Sequence, residues 1–154
     1  MNSELTALAT SLRSLHRTLA ERARREFEQQ GGTVVPPGEW LQLLVGDARF
    51  AWLRALSELI VDLDVFLEAD PGPAADDAAA IRAEVERLVA PAPQPVEGSF
   101  TERYWHFVHD EPHVAIAHAE IRQALDRLPE ARDVDEGDAL HERHGWTAAR
   151  RNRG

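Results

Sequence analysis

The 154-residue chain contains no cysteine, no lysine and a single methionine. Without cysteine, the protein can form neither disulfides nor thiolate metal sites, and it has no thiol nucleophile. Without lysine, Schiff-base catalysis and lysine-assisted phosphate binding are also excluded. These absences remove several common classes of active site before any motif is considered.

Long apolar runs and a surplus of positive charge are missing as well. No segment has 18 consecutive apolar residues, and the N-terminal sequence MNSELTALATSLRSLH lacks the basic start and unbroken apolar run of a signal peptide. The formal net charge is −10, whereas binding to nucleic acid phosphates requires a surplus of basic residues. We therefore expect a cytoplasmic protein that binds neither membranes nor nucleic acids.

Motifs that mark catalytic nucleophiles or phosphate-binding loops are absent too. The chain has no GxSxG, P-loop, GxGxxG or SxxK motif. Ser11, Ser14 and Ser57 lie in predicted helices, and none has a marked base beside it in the sequence. The sequence therefore favours a protein that is not an enzyme.

Helical spacing of apolar residues runs through most of the chain and predicts an all-α fold. Leucines recur every three or four positions within residues 3–30. The same spacing, with glycine, proline and capping residues as stop and start signals, predicts helices over residues 38–45, 48–68, 76–90, about 100–111 and 112–128. We expect one bundle of about five to six helices over residues 1–129, and a charged, flexible tail over residues 130–154.

An interruption is predicted in the most apolar part of the bundle. Gly46 followed by Asp47 indicates that one helix ends and another begins. The second of these, residues 48–68, is expected at the centre of the bundle. Its segment LIVDLDVFL also alternates as a strand does, but the helical pattern starts earlier and is longer. The sequence therefore predicts a kinked or broken central helix.

A second apolar face on the helix over residues 48–68 suggests an interface. Phe50, Val61 and Val65 lie opposite its main apolar stripe, where a surface helix would be polar. Either this helix is packed on both sides within the chain, or the second face contacts another subunit. Homodimerisation through this face, or through the long first helix, is one expectation.

The segment WHFVHDEPHVAIAHAE, residues 105–120, contains four of the seven histidines. Its His106, His109 and His113 are spaced by three and four residues, which can place metal ligands on one helix face. However, Pro112 interrupts the helix, and His106 falls on the side predicted to face water. The expectation is therefore no cofactor, with a divalent metal as the alternative.

Two other histidines lie near the apolar stripes of their helices. His16 and His118 are expected at the edge of the core, where a histidine usually donates a hydrogen bond to a carboxylate or a carbonyl. Candidate partners are Glu58, Asp62 and Asp64. His16, Glu58, Asp62 and His118 could form a site for proton transfer or a metal, or hydrogen bonds that set the register of the helices.

The segments LQLLVGDARFAWLRALSELIVDLD and AHAEIR at 117–122 resemble a family of small all-helical bacterial proteins of uncharacterised function. The resemblance would cover about residues 1–128 and implies a helical fold. It carries no active-site residue. Relatives are expected to have proline after the aspartate at the break, where this chain has Ala48.

Three functions remain open from the sequence. The first is a non-catalytic binding or regulatory module that acts through protein–protein contacts, with a second copy or another protein. The second is a metal-binding helical bundle that uses the histidine and carboxylate sets named above. The third is an acidic regulator that occupies a basic surface of its partner, in line with the net charge of −10.

Overall fold

In the computed structural model, the residues described are 2–69 and 72–130, and within them every regular element is helical. The elements are α1 (Asn2–Gly31), α2 (Pro37–Gly46), a 3₁₀ helix (Ala48–Leu53), α3 (Arg54–Glu68), α4 (Ala75–Val89), α5 (Phe100–Asp110) and α6 (Pro112–Asp126). The predicted all-α bundle is confirmed. Nearly all of the predicted tail, residues 131–154, lies outside the described residues.

The leucine stripe of α1 forms the middle of the core. Its leucines, each with no exposed surface, are Leu5, Leu8, Leu12, Leu15 and Leu19. Spacings of three and four residues place them on one face, and burial of each stabilises the fold by about 1.5–3 kcal/mol. α1 makes its most extensive contacts with α6 and then with α3. It therefore shares the centre of the bundle with the interrupted helix that the sequence placed there.

The predicted break at Gly46–Asp47 is confirmed, with one difference in its form. The Asp47 carboxylate accepts a hydrogen bond from the backbone N–H of Arg49 at 2.8 Å, and the Arg49 guanidinium donates to it at 3.0 and 2.8 Å. These bonds lower the pKa of Asp47 to about 2. The six residues that follow form a 3₁₀ helix, so the α-helix begins at Arg54 rather than at residue 48.

Phe50 is buried within the chain, as expected if the helix is packed on both sides, whereas the two valines of the same predicted face are not. Its ring lies 4.9 Å from Trp40 and 5.7 Å from Phe27, measured between ring centroids, and only 6% of the residue is exposed. Val61 and Val65 remain 53% and 47% exposed. The 3₁₀ segment has about three residues per turn instead of 3.6. It therefore rotates Phe50 away from the face that an unbroken α-helix would share with the two valines.

α5 and α6 begin at the capping signals that the sequence predicts. The Ser99 hydroxyl accepts a hydrogen bond from the Glu102 N–H at 3.3 Å, and the Glu102 carboxylate accepts one from Gly98 at 3.0 Å. Between the two helices, Glu111 is the N-cap residue of α6 and Pro112 occupies its first turn. Proline suits that position because its missing N–H would have no partner there.

A buried arginine joins α4 to the end of α6. Arg82 donates to the Glu86 carboxylate at 2.7 Å and to the backbone carbonyl of Leu128 at 2.6 Å. Its role could not be predicted from the sequence, since a helical arginine spaced four residues from a glutamate is typical of a solvated face.

None of the helices over residues 2–69 and 72–130 combines the length and the hydropathy that a membrane span requires.

Candidate functional site

A groove of about 540 Å³ lies between α1, α2 and α3. Residues of α1 from Arg13 to Arg24 form one long side of it. Trp40 and Leu44 of α2, and Ile60 and Val61 of α3, supply apolar walls. Its volume falls within the roughly 300–1,000 Å³ that ligand sites occupy, which makes it the first place to look for a function.

A histidine and a serine meet in this groove. His16 Nε2 of α1 lies 2.8 Å from Ser57 Oγ of α3, and the serine hydroxyl is also 3.3 Å from the Leu53 carbonyl. Burial lowers the pKa of His16, so its imidazole is neutral at pH 7. The sequence shows no base beside Ser57, and the contact with His16 comes from a separate helix.

The chemistry of the His16–Ser57 pair is limited by its position. Ser57 lies inside α3, where backbone N–H groups donate to carbonyls one turn earlier in the chain. Such amides cannot also stabilise the oxyanion that forms when a serine attacks a carbonyl. The pair is therefore suited to joining α1 to α3 and to offering a hydrogen bond to a molecule in the groove.

His118 makes a comparable contact on another side of the bundle. Its Nδ1 lies 2.5 Å from the hydroxyl of Tyr104, which joins α6 to α5. Burial raises the pKa of Tyr104 far above its usual value. Burial, followed by the positive charge of Arg122, lowers the pKa of His118. The indole of Trp105 packs edge-on against His118 at 5.0 Å and donates a hydrogen bond to the Val89 carbonyl at 3.2 Å.

The four residues predicted as a core-edge site are distributed over different contacts. His16 and His118 both lie at the edge of the core as expected, but each meets a hydroxyl group on a neighbouring helix instead of a carboxylate. Glu58 is exposed and Asp62 is buried. One histidine contacts α3 and the other contacts α5, so the two belong to separate sites.

The histidines proposed as an alternative metal site are all exposed. His106 and His109 belong to α5, whereas His113 lies beyond the interruption, in the first turn of α6. Across residues 2–69 and 72–130, no three histidine or acidic side chains are grouped so that they could hold a metal ion. The break at Glu111 explains why the spacing in the sequence does not produce one face.

The groove between α1, α2 and α3 contains one arginine without a partner among the described residues. Three arginines and one glutamate line it, in a chain whose net charge is −10. Arg13 pairs with Asp64, and Arg24 lies 3.6 Å from Glu28 and donates to the Val35 carbonyl at 2.6 Å. Arg17 is exposed and makes no hydrogen bond or ion pair with any residue in the described part of the chain. This guanidinium is therefore available to an acidic group from outside.

Exposed apolar side chains on α2 and α3 lie next to groove-lining residues in the sequence. Leu41 and Val45 of α2 are 60% and 67% exposed, and they lie one turn apart on the same side of that helix. On α3, Val61 and Val65 are arranged in the same way. We call these four residues the α2–α3 apolar face. Only Val61 and Val65 could be predicted from the sequence. In a helix as short and apolar as α2, the spacing of apolar residues does not show which of them other helices cover.

Comparison of the chain with protein-family models, with curated proteins and with solved structures finds no match. The resemblance to small all-helical bacterial proteins, drawn from the segments 41–64 and 117–122, therefore stays a prediction. The function is therefore inferred from the geometry of this chain's own residues.

Proposed function

We propose that this protein is a non-catalytic helical binding module that acts through protein–protein contacts at the α2–α3 apolar face. The observation that carries the proposal is the exposure of Leu41, Val45, Val61 and Val65. Val61 lines the groove, Leu41 and Val45 directly follow the lining residues Trp40 and Leu44, and Val65 lies one turn after Val61. Single exposed apolar residues are common on protein surfaces, but a group that borders one groove is typical of a binding surface.

The energetics favour a partner that covers the whole group. Transfer of apolar surface out of water stabilises a complex by roughly 25 cal/mol per Å². The two pairs stand on α2 and α3, and Leu44 and Val61 of these helices line the same groove. A partner surface that spans the groove would cover both pairs at once, and the stabilisation would offset part of the entropy lost on association.

The two alternative functions have less support from the described residues. A metal-binding bundle needs three or more converging ligands, and none is found in the part of the chain that the structure covers. An acidic regulator would bind through carboxylates, in accord with the net charge of −10. Such a regulator has no need for an exposed apolar face.

Affinity capture with matched variants tests the proposal. The wild-type chain is compared with a Leu41→Glu/Val65→Glu variant in an extract of the source cells, and captured proteins are quantified by mass spectrometry. Ile116→Glu is the control, since Ile116 is also an exposed helical residue but lies on α6. We expect the double variant to lose specific proteins that the control retains. Identical capture by all three chains would contradict the proposal.

Light scattering on the same samples tests whether the partner is a second copy. A dimer that the Leu41→Glu/Val65→Glu variant dissociates, and that Ile116→Glu leaves intact, would support a binding module that associates with itself. A monomeric wild-type chain that captures no protein dependent on the α2–α3 apolar face would remove the basis of the proposed function.

A further inference from the structure

The groove between α1, α2 and α3 has the length of a short helix-binding site. It extends along α1 from Arg13 to Arg24, and twelve residues of helix, separated by rises of 1.5 Å, span about 16 Å. An amphipathic helix presents its anchoring side chains at i, i+3 or i+4, and i+7, over about 10 Å. The groove therefore accommodates two to three turns of a partner helix with three apolar anchors.

The charge of the groove discriminates between possible partners. Arg13 pairs with Asp64 and Arg24 with Glu28, so Arg17 is its one arginine without a partner among the described residues. A second groove, of about 380 Å³ between α1 and α6, also includes Arg17, and there Arg22 lies 3.2 Å from Glu111. Only the first groove places Arg17 beside Trp40, Leu44 and Val61.

Taken together with the proposed function, on which this step rests, these features identify the chemistry of the partner. We infer that the groove binds an acidic amphipathic helix of another protein. Its apolar side chains contact Trp40, Leu44 and the α2–α3 apolar face, and a carboxylate pairs with Arg17. The net charge of −10 repels an acidic helix elsewhere on the surface, which restricts its binding to this groove.

Two other occupants agree less well with the geometry. A second copy docked with Arg17 near the two-fold axis would bring the two Arg17 guanidinium groups together, and like charges at an interface are unfavourable. A small molecule could fill 540 Å³ but would leave the outward-facing Leu41 and Val65 exposed to water. An acidic helix covers the apolar surface and neutralises Arg17.

Fluorescence anisotropy with synthetic peptides tests the inference on the full-length chain. The probe is a labelled amphipathic peptide of about 15 residues or more, since shorter helices are marginal in water. It has leucines at i, i+4 and i+7 and glutamates along the flanking positions. A second peptide has lysine in place of every glutamate. We expect the acidic peptide to bind at least about tenfold more tightly than the basic one, a difference near 1.4 kcal/mol.

Single-residue variants test the charged part and the apolar part of the contact separately. Arg17→Glu should weaken binding of the acidic peptide about tenfold, and Leu41→Glu should weaken binding of both peptides. Arg127→Glu is the control, because Arg127 is exposed at the end of α6 and outside the groove. Arg17→Gln provides a second variant that removes the positive charge without reversing it. Circular dichroism establishes that each variant is folded.

The outcomes separate this inference from the proposed function. Equal affinity for the two peptides, or an Arg17→Glu variant that binds the acidic peptide normally, would overturn the acidic-helix inference. If Leu41→Glu still reduced protein capture in that case, the binding module itself would stand. A wild-type dimer dissociated by Leu41→Glu, without binding of either peptide, would identify a second copy as the occupant. If no protein capture depends on the α2–α3 apolar face and neither peptide binds, both the proposed function and the acidic-helix inference would be overturned.

Discussion

The imidazole Nε2 of His16 lies 2.8 Å from the hydroxyl Oγ of Ser57, and this contact joins α1 to α3 across 41 residues of sequence. Tyr104 and His118 form the equivalent contact between α5 and α6. In both cases a half-buried histidine is paired with a neutral hydroxyl, and no carboxylate takes part in the hydrogen bond. Burial therefore disfavours the charged imidazolium at both positions and lowers both pKa values.

Stability should consequently decrease in mild acid. The pKa values of His16 and His118 are lowered in the folded state from their ordinary 6.5, so the unfolded chain binds more protons just below pH 6.5. The stabilisation from the neutral imidazoles is fully present above that pH and is lost as pH falls through the folded pKa values. Urea denaturation at a series of pH values from 8 to 5 would measure the slope.

Histidine variants test which residues cause the dependence of the unfolding free energy on pH. His16→Gln and His118→Gln should each reduce the dependence of the unfolding free energy on pH, because glutamine can hydrogen-bond without titrating. His113→Gln serves as the control, since His113 is exposed. If the slope of both core-edge variants matched that of the wild type, the assignment would be wrong.

Two leucines should separate stability from binding. Leu12 has no exposed surface and lies in the core stripe of α1, whereas Leu41 is 60% exposed. Leu12→Ala should destabilise the chain by about 2–5 kcal/mol through loss of burial and creation of a cavity. Leu41→Ala should change the unfolding free energy by less than about 0.5 kcal/mol, while it reduces partner capture. Comparable losses of stability in denaturant titrations of the two variants would contradict the description of the α2–α3 apolar face.

Arg82 should contribute to stability although it is an arginine on a helix. Arg82→Met retains the aliphatic part of the side chain but removes the hydrogen bonds to Glu86 and to the Leu128 carbonyl. Loss of bonds that involve a charged group should reduce the unfolding free energy by about 2 kcal/mol. The matched change Arg127→Met, at an exposed position, should have little effect. Thermal and urea denaturation would compare the two, and equal stability would refute the structural role.

The cap at Asp47 should remain charged well into the acid range. Hydrogen bonds from Arg49 lower the pKa of Asp47 from 3.8 to about 2. Its stabilisation is therefore present above pH 3.8 and is lost as pH falls through about 2. Titration of the side-chain carboxyl by NMR should report the low value, and Arg49→Ala should raise it toward 3.8. An Asp47 pKa unaffected by that substitution would exclude Arg49 as the cause.

Several features of the fold follow from local sequence alone. The spacing of leucines predicts α1, and the signals at Asp47 and Pro112 predict where later elements begin. These signals act within one or two helical turns, so they can be recognised without knowledge of the tertiary structure. The 3₁₀ segment was not predicted, because residues 48–53 have the apolar spacing of an α-helix.

The helical class, most helix boundaries and the position of His16 and His118 at the edge of the core can therefore be predicted from local sequence. The contacts of these histidines with Ser57 and Tyr104 depend on how the helices pack, and so does the groove between α1, α2 and α3, with its arginine that has no partner among the described residues. Periodicity defines the apolar face of each helix but not which neighbour covers it. That choice depends on how side chains on separate helices interlock, and it involves residues far apart in the chain.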